Sequence, residues 1–323
     1  MDCVSYKASV PGSLMLFGEH AVLHNKQAIA LAVNHYIKVN LVPCSDNNIR
    51  ITSSMFADHK VALDKFKITK PYDYVLTAIK LYFKKIKCGF ALNIYSDFSA
   101  DIGFGSSAAV TVATLKVLSL WLDQKPIGKM KLYQQAVKVV RLVQGFGSGA
   151  DVVACVFGGV LAYKMQPISI KKIANNLPLV AVYSGRKLAT KKVVVKVRQS
   201  RKRFPKVFSE LYNAIDSCSK EAIRAIKNKN YSRLGELMNI HQGLQDALGV
   251  NNKILSELIF SLRAKKTIYG AKISGSGLGD CVIGLGRIKK NTFPENDRQK
   301  KIGVRQMEVK IGRCGFGHIM SSL

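Results

Sequence analysis

The chain contains no uninterrupted run of eighteen apolar, uncharged residues. This excludes a membrane-crossing helix of ordinary length. Its opening segment, MDCVSYKASVPGS, lacks a basic stretch followed by an apolar one, so the reading is of a protein neither secreted nor membrane-spanning. The seven cysteines (Cys3, Cys44, Cys88, Cys155, Cys218, Cys281, Cys314) are odd in number, scattered and never spaced as CxxC. They read as reduced thiols of a cytoplasmic protein rather than a disulfide frame or zinc site. Internal repeats, low-complexity segments and helix-turn-helix or RNA-recognition signatures are missing as well. Acidic residues are scarce: 20 Asp and Glu stand against 50 Lys and Arg, a net charge of +30, and no glutamate occurs between Glu19 and Glu210.

Such a charge raises nucleic-acid binding, because clustered Lys and Arg release counterions from phosphate backbones. The clusters here are dispersed. The densest, RQSRKRFPK (Arg198 to Lys206), has few aromatics interleaved. The charge is read instead as a general basic bias or an attraction for phosphorylated ligands, with no nucleic-acid partner.

A composition of 48% hydrophobic and 22% charged residues over 323 positions is that of a globular protein with room for two cores. Short β-rich runs (YIKVNLVPC, FALNIYS) alternate with helical patterns (VTVATLKVLSLWL, MKLYQQAVKVVRLV) in the first half. A strand-like LPLVAVYSG then precedes four helical segments, and Gly249 marks the end of one of them. The expected fold class is α+β in two lobes, residues 1–170 and 171–323, with the boundary near 165–180.

One segment points to anion binding. In DIGFGSSAAV (Asp101 to Val110) a Gly-Ser cluster lies between a strand and a long apolar helix. Glycines let a backbone approach an anion, and free amides at a helix start bind phosphate. The same letters also suit a plain turn with Ser106 or Ser107 as N-cap. Neither the Walker A nor the Rossmann pattern is matched. Three further segments each have a structural alternative of their own. Glu19 and His20 in PGSLMLFGEHAVLH could form a surface turn, and Asp151 in GFGSGADVVACVFGG could cap a helix. KISGSGLGDCVIGLG (Lys272 to Gly286) could be a glycine-rich hairpin.

Taken in this order, the segments resemble the motifs of the GHMP (galactokinase, homoserine, mevalonate, phosphomevalonate) kinases. Gly103, Phe104, Gly105, Ser106, Ser107, Ala108 and Ala109 are similar to the GLGSSAA core of the family's phosphate loop, with Phe for Leu. GEHAV, and LMNIHQGLQDALGVNNKILSELI further on, resemble the mevalonate kinases in particular. The resemblance runs from about Pro11 to Gly286. It implies a two-lobe fold with ATP in the cleft, Mg²⁺ held near Ser107 and Asp151, and Asp151 acting on the substrate hydroxyl. Gly103 to Ala108 would bind the nucleotide. Glu19, His20, Thr190, Gly275 and Gly277 would lie at the substrate. The implied reaction is phosphorylation of mevalonate by a cytoplasmic enzyme, possible as a homodimer. Phosphomevalonate or another small alcohol is the alternative acceptor, and a non-catalytic ATP- or nucleic-acid-binding protein the outside one.

Two positions depart from the family pattern. Ser13 stands where the family has a lysine, which makes Lys191 and Lys192 the candidate replacements. Val140 stands where mevalonate kinases have a metal-ligating glutamate, leaving Asp151 and Asp101 as candidate ligands. Asp280 and the spelling GSGAD lean toward phosphomevalonate kinases.

Overall fold

The computed structural model describes residues 4–314 and 318–321. Strand β1 (Val4–Phe17) alternates buried and open positions in its first half and is buried throughout its second. One end therefore has a solvated face, while the other is covered on both faces. A 3₁₀ turn (Ala21–His24) leads to β2 (Ala28–Pro43), followed by β3 (Asn48–Ser53), β4 (His59–Ala62), helix α1 (Asp73–Tyr82) and β5 (Phe90–Ser96). Helices α2 (Ser106–Asp123), α3 (Lys129–Gln144) and α4 (Ala150–Phe157) come next. Strands β6 (Val160–Lys164) and β7 (Ser169–Ala174) close this half. Helix α2 is apolar nearly all round and lies against β1 and β2, with α1, α3 and α4 packed about it. A helix of that composition has to be interior.

The first sheet runs β12-β1-β2-β5-β3-β4, where β12 is His318–Ser321. Among the described residues, only β3 and β5 pair in parallel within it. Long β2 serves two partners, β6 through Ala28 to Leu31 and β5 through Ile37 to Pro43. This sheet thus continues past residue 170 into β7 and also takes up a strand from residues 318–321.

The second sheet, β11-β8-β10-β9, is antiparallel throughout: β8 is Leu179–Ser184, β9 Ile268–Ser274, β10 Cys281–Gly286 and β11 Val304–Val309. Its helices are α5 (Thr190–Arg203), α6 (Pro205–Lys227), α7 (Tyr231–Ala247), α8 (Lys253–Arg263) and α9 (Asp297–Lys301). Local chemistry sets their ends. Pro205 opens α6, where a missing amide hydrogen costs nothing, and the Asn230 and Asn252 side chains cap α7 and α8. Gly249 takes a positive φ just beyond α7, as expected from the sequence. One continuous apolar cluster reaches from Val10 and Leu31 in the first sheet to Ala181, Met238, Cys281 and Ile283 in the second half. The two sheets share an interior.

Candidate active site

The Gly-Ser segment forms a bend that ends in α2. Gly105, at φ +64°, is the N-cap residue, so Ser106 and Ser107 occupy the first helical turn and neither hydroxyl caps it. A Cβ on Gly105 would lie 2.1 Å from Ser13 Oγ, which leaves glycine as the residue that fits. Phe104 is buried against Phe98 and His35, and its carbonyl accepts from the Ser13 amide at 2.9 Å. The bend is thereby fixed from below. Among the described residues, the amides of Gly103 to Ala108 have no protein acceptor. Six free N–H groups at the positive end of an eighteen-residue helix make an anion cradle.

Asp151 lies in the first turn of α4, whose N-cap is Gly149, and makes no capping bond. Instead Ser13 Oγ donates to its Oδ1 at 2.8 Å. The Asp151 residue is exposed, although protein atoms crowd the carboxyl enough that desolvation raises its pKa, with the Ser13 hydrogen bond pulling the other way. The open face stays hydrated, which keeps the carboxylate charged at neutral pH. Lys191 and Lys192 lie exposed on α5, and among the described residues neither forms an ion pair with Asp151.

The third glycine-rich segment is the connection between antiparallel β9 and β10, with Ser274 paired to Cys281. It is pinned on both sides. The Leu278 amide donates to Val250 O at 2.7 Å, and Ser274 Oγ donates to Met15 O at 2.8 Å. Asp280 projects from this loop toward the phosphate bend: a Cβ on Gly103 would lie 2.7 Å from Asp280 Cβ. Burial raises the Asp280 pKa to about 6; Lys187 opposes that rise, while Asp151 and Asp101 add to it.

Glu19 and His20 turn inward. Lys272 Nζ donates to Glu19 Oε1 at 2.5 Å, and both side chains are buried. Burial alone would raise the Glu19 pKa, but the charge and hydrogen bond of Lys272 outweigh it and leave the carboxyl below its ordinary value. The Gly18 amide donates to His241 Nε2 at 3.2 Å, so this ring is neutral, and burial with Lys272 beside it holds its pKa down to about 3. His20 Nε2 donates to Ser276 O at 2.9 Å, with burial lowering its pKa. The turn after β1 is in this way bolted to β9, to the β9–β10 connection and to α7. Thr190, by contrast, is the exposed first residue of α5. Reasoning from sequence missed Lys272 and His241 as partners of Glu19, and it missed the contact of Asp280 with the phosphate bend. Their only signal was their place beside motif letters.

A cavity of about 180 Å³ adjoins the bend, lined among others by Phe56, Tyr72, Ala100, Ser106, Ser107 and Lys187. A larger hollow of about 550 Å³ on the first sheet, lined by Lys7, Lys38, Asn40 and Tyr95 among others, contains none of the predicted site residues. We assign no chemistry to it. Among the described residues no cluster of three His, Cys, Asp or Glu side chains could hold a metal ion.

A helix-mouth amide cradle beside a carboxylate, closed by a second glycine loop, is the arrangement of a phosphoryl-transfer site. Comparison with known proteins agrees. Residues 73–159 match the GHMP kinases N terminal domain and residues 222–302 the GHMP kinases C terminal domain. The chain belongs to the GHMP kinase family. Among curated relatives, the mevalonate kinase of Pyrococcus abyssi is 34% identical, over 94% of this chain and 98% of its own. That of Thermococcus sibiricus is 34% identical, over 96% and 97%. The crystal structure of the Methanococcus jannaschii mevalonate kinase superposes with a TM-score of 0.77 at 24% identity, covering 95% of this chain and 98% of that one.

Proposed function

We infer that this chain is an ATP-dependent mevalonate kinase, transferring the γ-phosphoryl group of ATP to the primary hydroxyl of mevalonate to give 5-phosphomevalonate and ADP. The observation that carries the phosphoryl-transfer reading is the row of unpaired amides from Gly103 to Ala108, set beside Asp151 through Ser13. The choice of mevalonate rests on the near full-length identity to the archaeal enzymes.

In this reading the amides of Gly103 to Ala108 bind the nucleotide phosphates, and the cavity walled by Phe56 and Tyr72 takes the nucleobase. Lys187, on the rim of that cavity, adds a cation. Ser13 holds one oxygen of Asp151, leaving the other to receive the proton of the acceptor hydroxyl. As the acceptor's hydroxyl oxygen attacks the γ-phosphorus, the bond to the β-phosphate oxygen breaks and ADP departs. Ser107 and Asp151 would hold Mg²⁺, and all-oxygen donors suit that ion; when bound it neutralises phosphate charge. Glu19 and His20 act by position, fixing the turn beside the Gly275 to Gly279 loop, while Thr190, exposed at the start of α5, is available to the acceptor.

The test is a substrate screen. Purified protein with MgATP should release ADP with mevalonate and far less with 5-phosphomevalonate or galactose. A preference for 5-phosphomevalonate would transfer the assignment to the neighbouring kinase, which the Asp280 and GSGAD spellings resemble.

A further inference from the structure

Asp280 has no task in the scheme above, yet its placement is costly. Its backbone is held on both sides: its amide donates to Arg186 O at 2.8 Å and its carbonyl accepts from the Ser184 amide at 2.9 Å. The residue is only 8% exposed, and Oδ1 is buried without a hydrogen-bond partner. That oxygen points at the phosphate bend, 3.2 Å from where a Cβ on Gly103 would lie, while Oδ2 is 3.9 Å from the same point on Gly275. A buried carboxylate with an unmet oxygen needs an explanation, because desolvation is otherwise uncompensated.

Protein cations do not supply one. Lys187 is near enough to be felt, but its ammonium donates to Ala100 O, and no ion pair to Asp280 forms among the described residues. Asp151 and Asp101 are also close enough to interact with Asp280. Asp280 lies against Gly103 and Asp151 against Gly105, and in a chain with 50 Lys and Arg against 20 Asp and Glu two carboxylates flanking the phosphate cradle leave a place for a cation from solution. The donors are hard oxygens, which suit a small divalent ion that retains several waters. The absence of any glutamate between Glu19 and Glu210 leaves this stretch without that residue as a source of such a ligand.

We propose that Asp280 is a ligand of the divalent cation that accompanies the nucleotide, holding it from the third glycine loop while Ser107 and Asp151 hold it from the other side. The inference rests on the kinase reading. It makes that loop part of the metal site rather than only a cover over the substrates.

Mn²⁺ binding followed by electron paramagnetic resonance, with and without ADP, tests it. In the presence of ADP, Asp280→Asn should weaken Mn²⁺ binding at least about tenfold, by analogy with the loss on removing metal-site partners. Its affinity for ADP without metal should stay within about twofold, and Glu257→Gln, whose carboxylate pairs with Arg298 outside the site, should leave Mn²⁺ binding within the same margin. Asp280→Ser, checked by its melting curve, should repeat the effect in a smaller side chain. Wild-type Mn²⁺ affinity in both folded Asp280 variants would overturn the proposal and leave the kinase reading standing. A wild-type protein that binds no ADP at all would overturn both.

Discussion

At the scale of single residues, the pair Ser13 and Asp151 decides how the site handles a proton. Where the family has a lysine, the smaller serine touches the carboxylate directly at 2.8 Å and carries no charge. Gly105 packs against both residues: a Cβ there would lie 2.1 Å from Ser13 Oγ and 3.6 Å from Asp151 Cβ. Asp151→Asn should lower kcat by about 10²- to 10⁴-fold, the usual worth of a positioned base, with metal-free ATP affinity nearly unchanged. Stopped ADP release and equilibrium titration read the two quantities separately, and retained turnover would remove Asp151 from the chemistry. Ser13→Ala deletes a hydrogen bond that favours the charged carboxylate, so the Asp151 pKa should rise. The acid limb of the kcat/KM profile should then move to higher pH. An unmoved limb would mean that the hydroxyl does not tune the base.

At the scale of elements, the buried bridge between the turn after β1 and strand β9 carries the largest stability stake. Lys272→Met would leave the Glu19 carboxylate buried and unpaired, a loss of about 3–5 kcal/mol in denaturant unfolding. The double change Glu19→Gln with Lys272→Met should recover much of it; no recovery would mean that the lysine matters through packing alone. Acid sensitivity follows from the same cluster. His241 titrates near 3 in the fold and near 6.5 in an unfolded chain, so the unfolded state takes up the proton first. Stability should decline as pH falls below about 6.5. Glu19, with a lowered folded pKa, contributes stability above its ordinary range that is lost as pH falls through the folded value. Unfolding curves at successive pH values read both, and a flat profile down to pH about 4 would exclude the His241 contribution.

Elements with strong local signals are legible in the sequence. Helices α2 to α8 follow apolar periodicity and glycine ends, and β2, β5 and β8 follow β-branched runs. Residues 48–82 carry no comparable signal. Strands β3 and β4 span only six and four residues, and helix α1 follows a lysine-rich loop. In the site, the phosphate bend was legible because glycine and serine there answer a backbone demand that is local. The bridge from Glu19 to Lys272 joins residues 253 apart, and nothing in either neighbourhood specifies the other. Asp280 over Gly103 is the same kind of case. Tertiary pairing of charges leaves no period to read.

Over the whole molecule, the excess of positive charge should act on encounter rather than on chemistry. ATP and mevalonate are both anionic, so a net +30 surface raises their local concentration and salt screens it. Between about 0.02 and about 0.3 M salt, kcat/KM should fall roughly threefold or more while kcat stays level. Salt-independent kcat/KM would show that the charge lies away from the approach to the cleft. The continuous interior beneath the two sheets bears on how ligands enter. Bodies joined by a wide apolar seam resist swinging apart, because opening would wet what folding dried. Admission and release then fall to the rim, to segments such as the connection between β9 and β10, while the floor beneath them stays still.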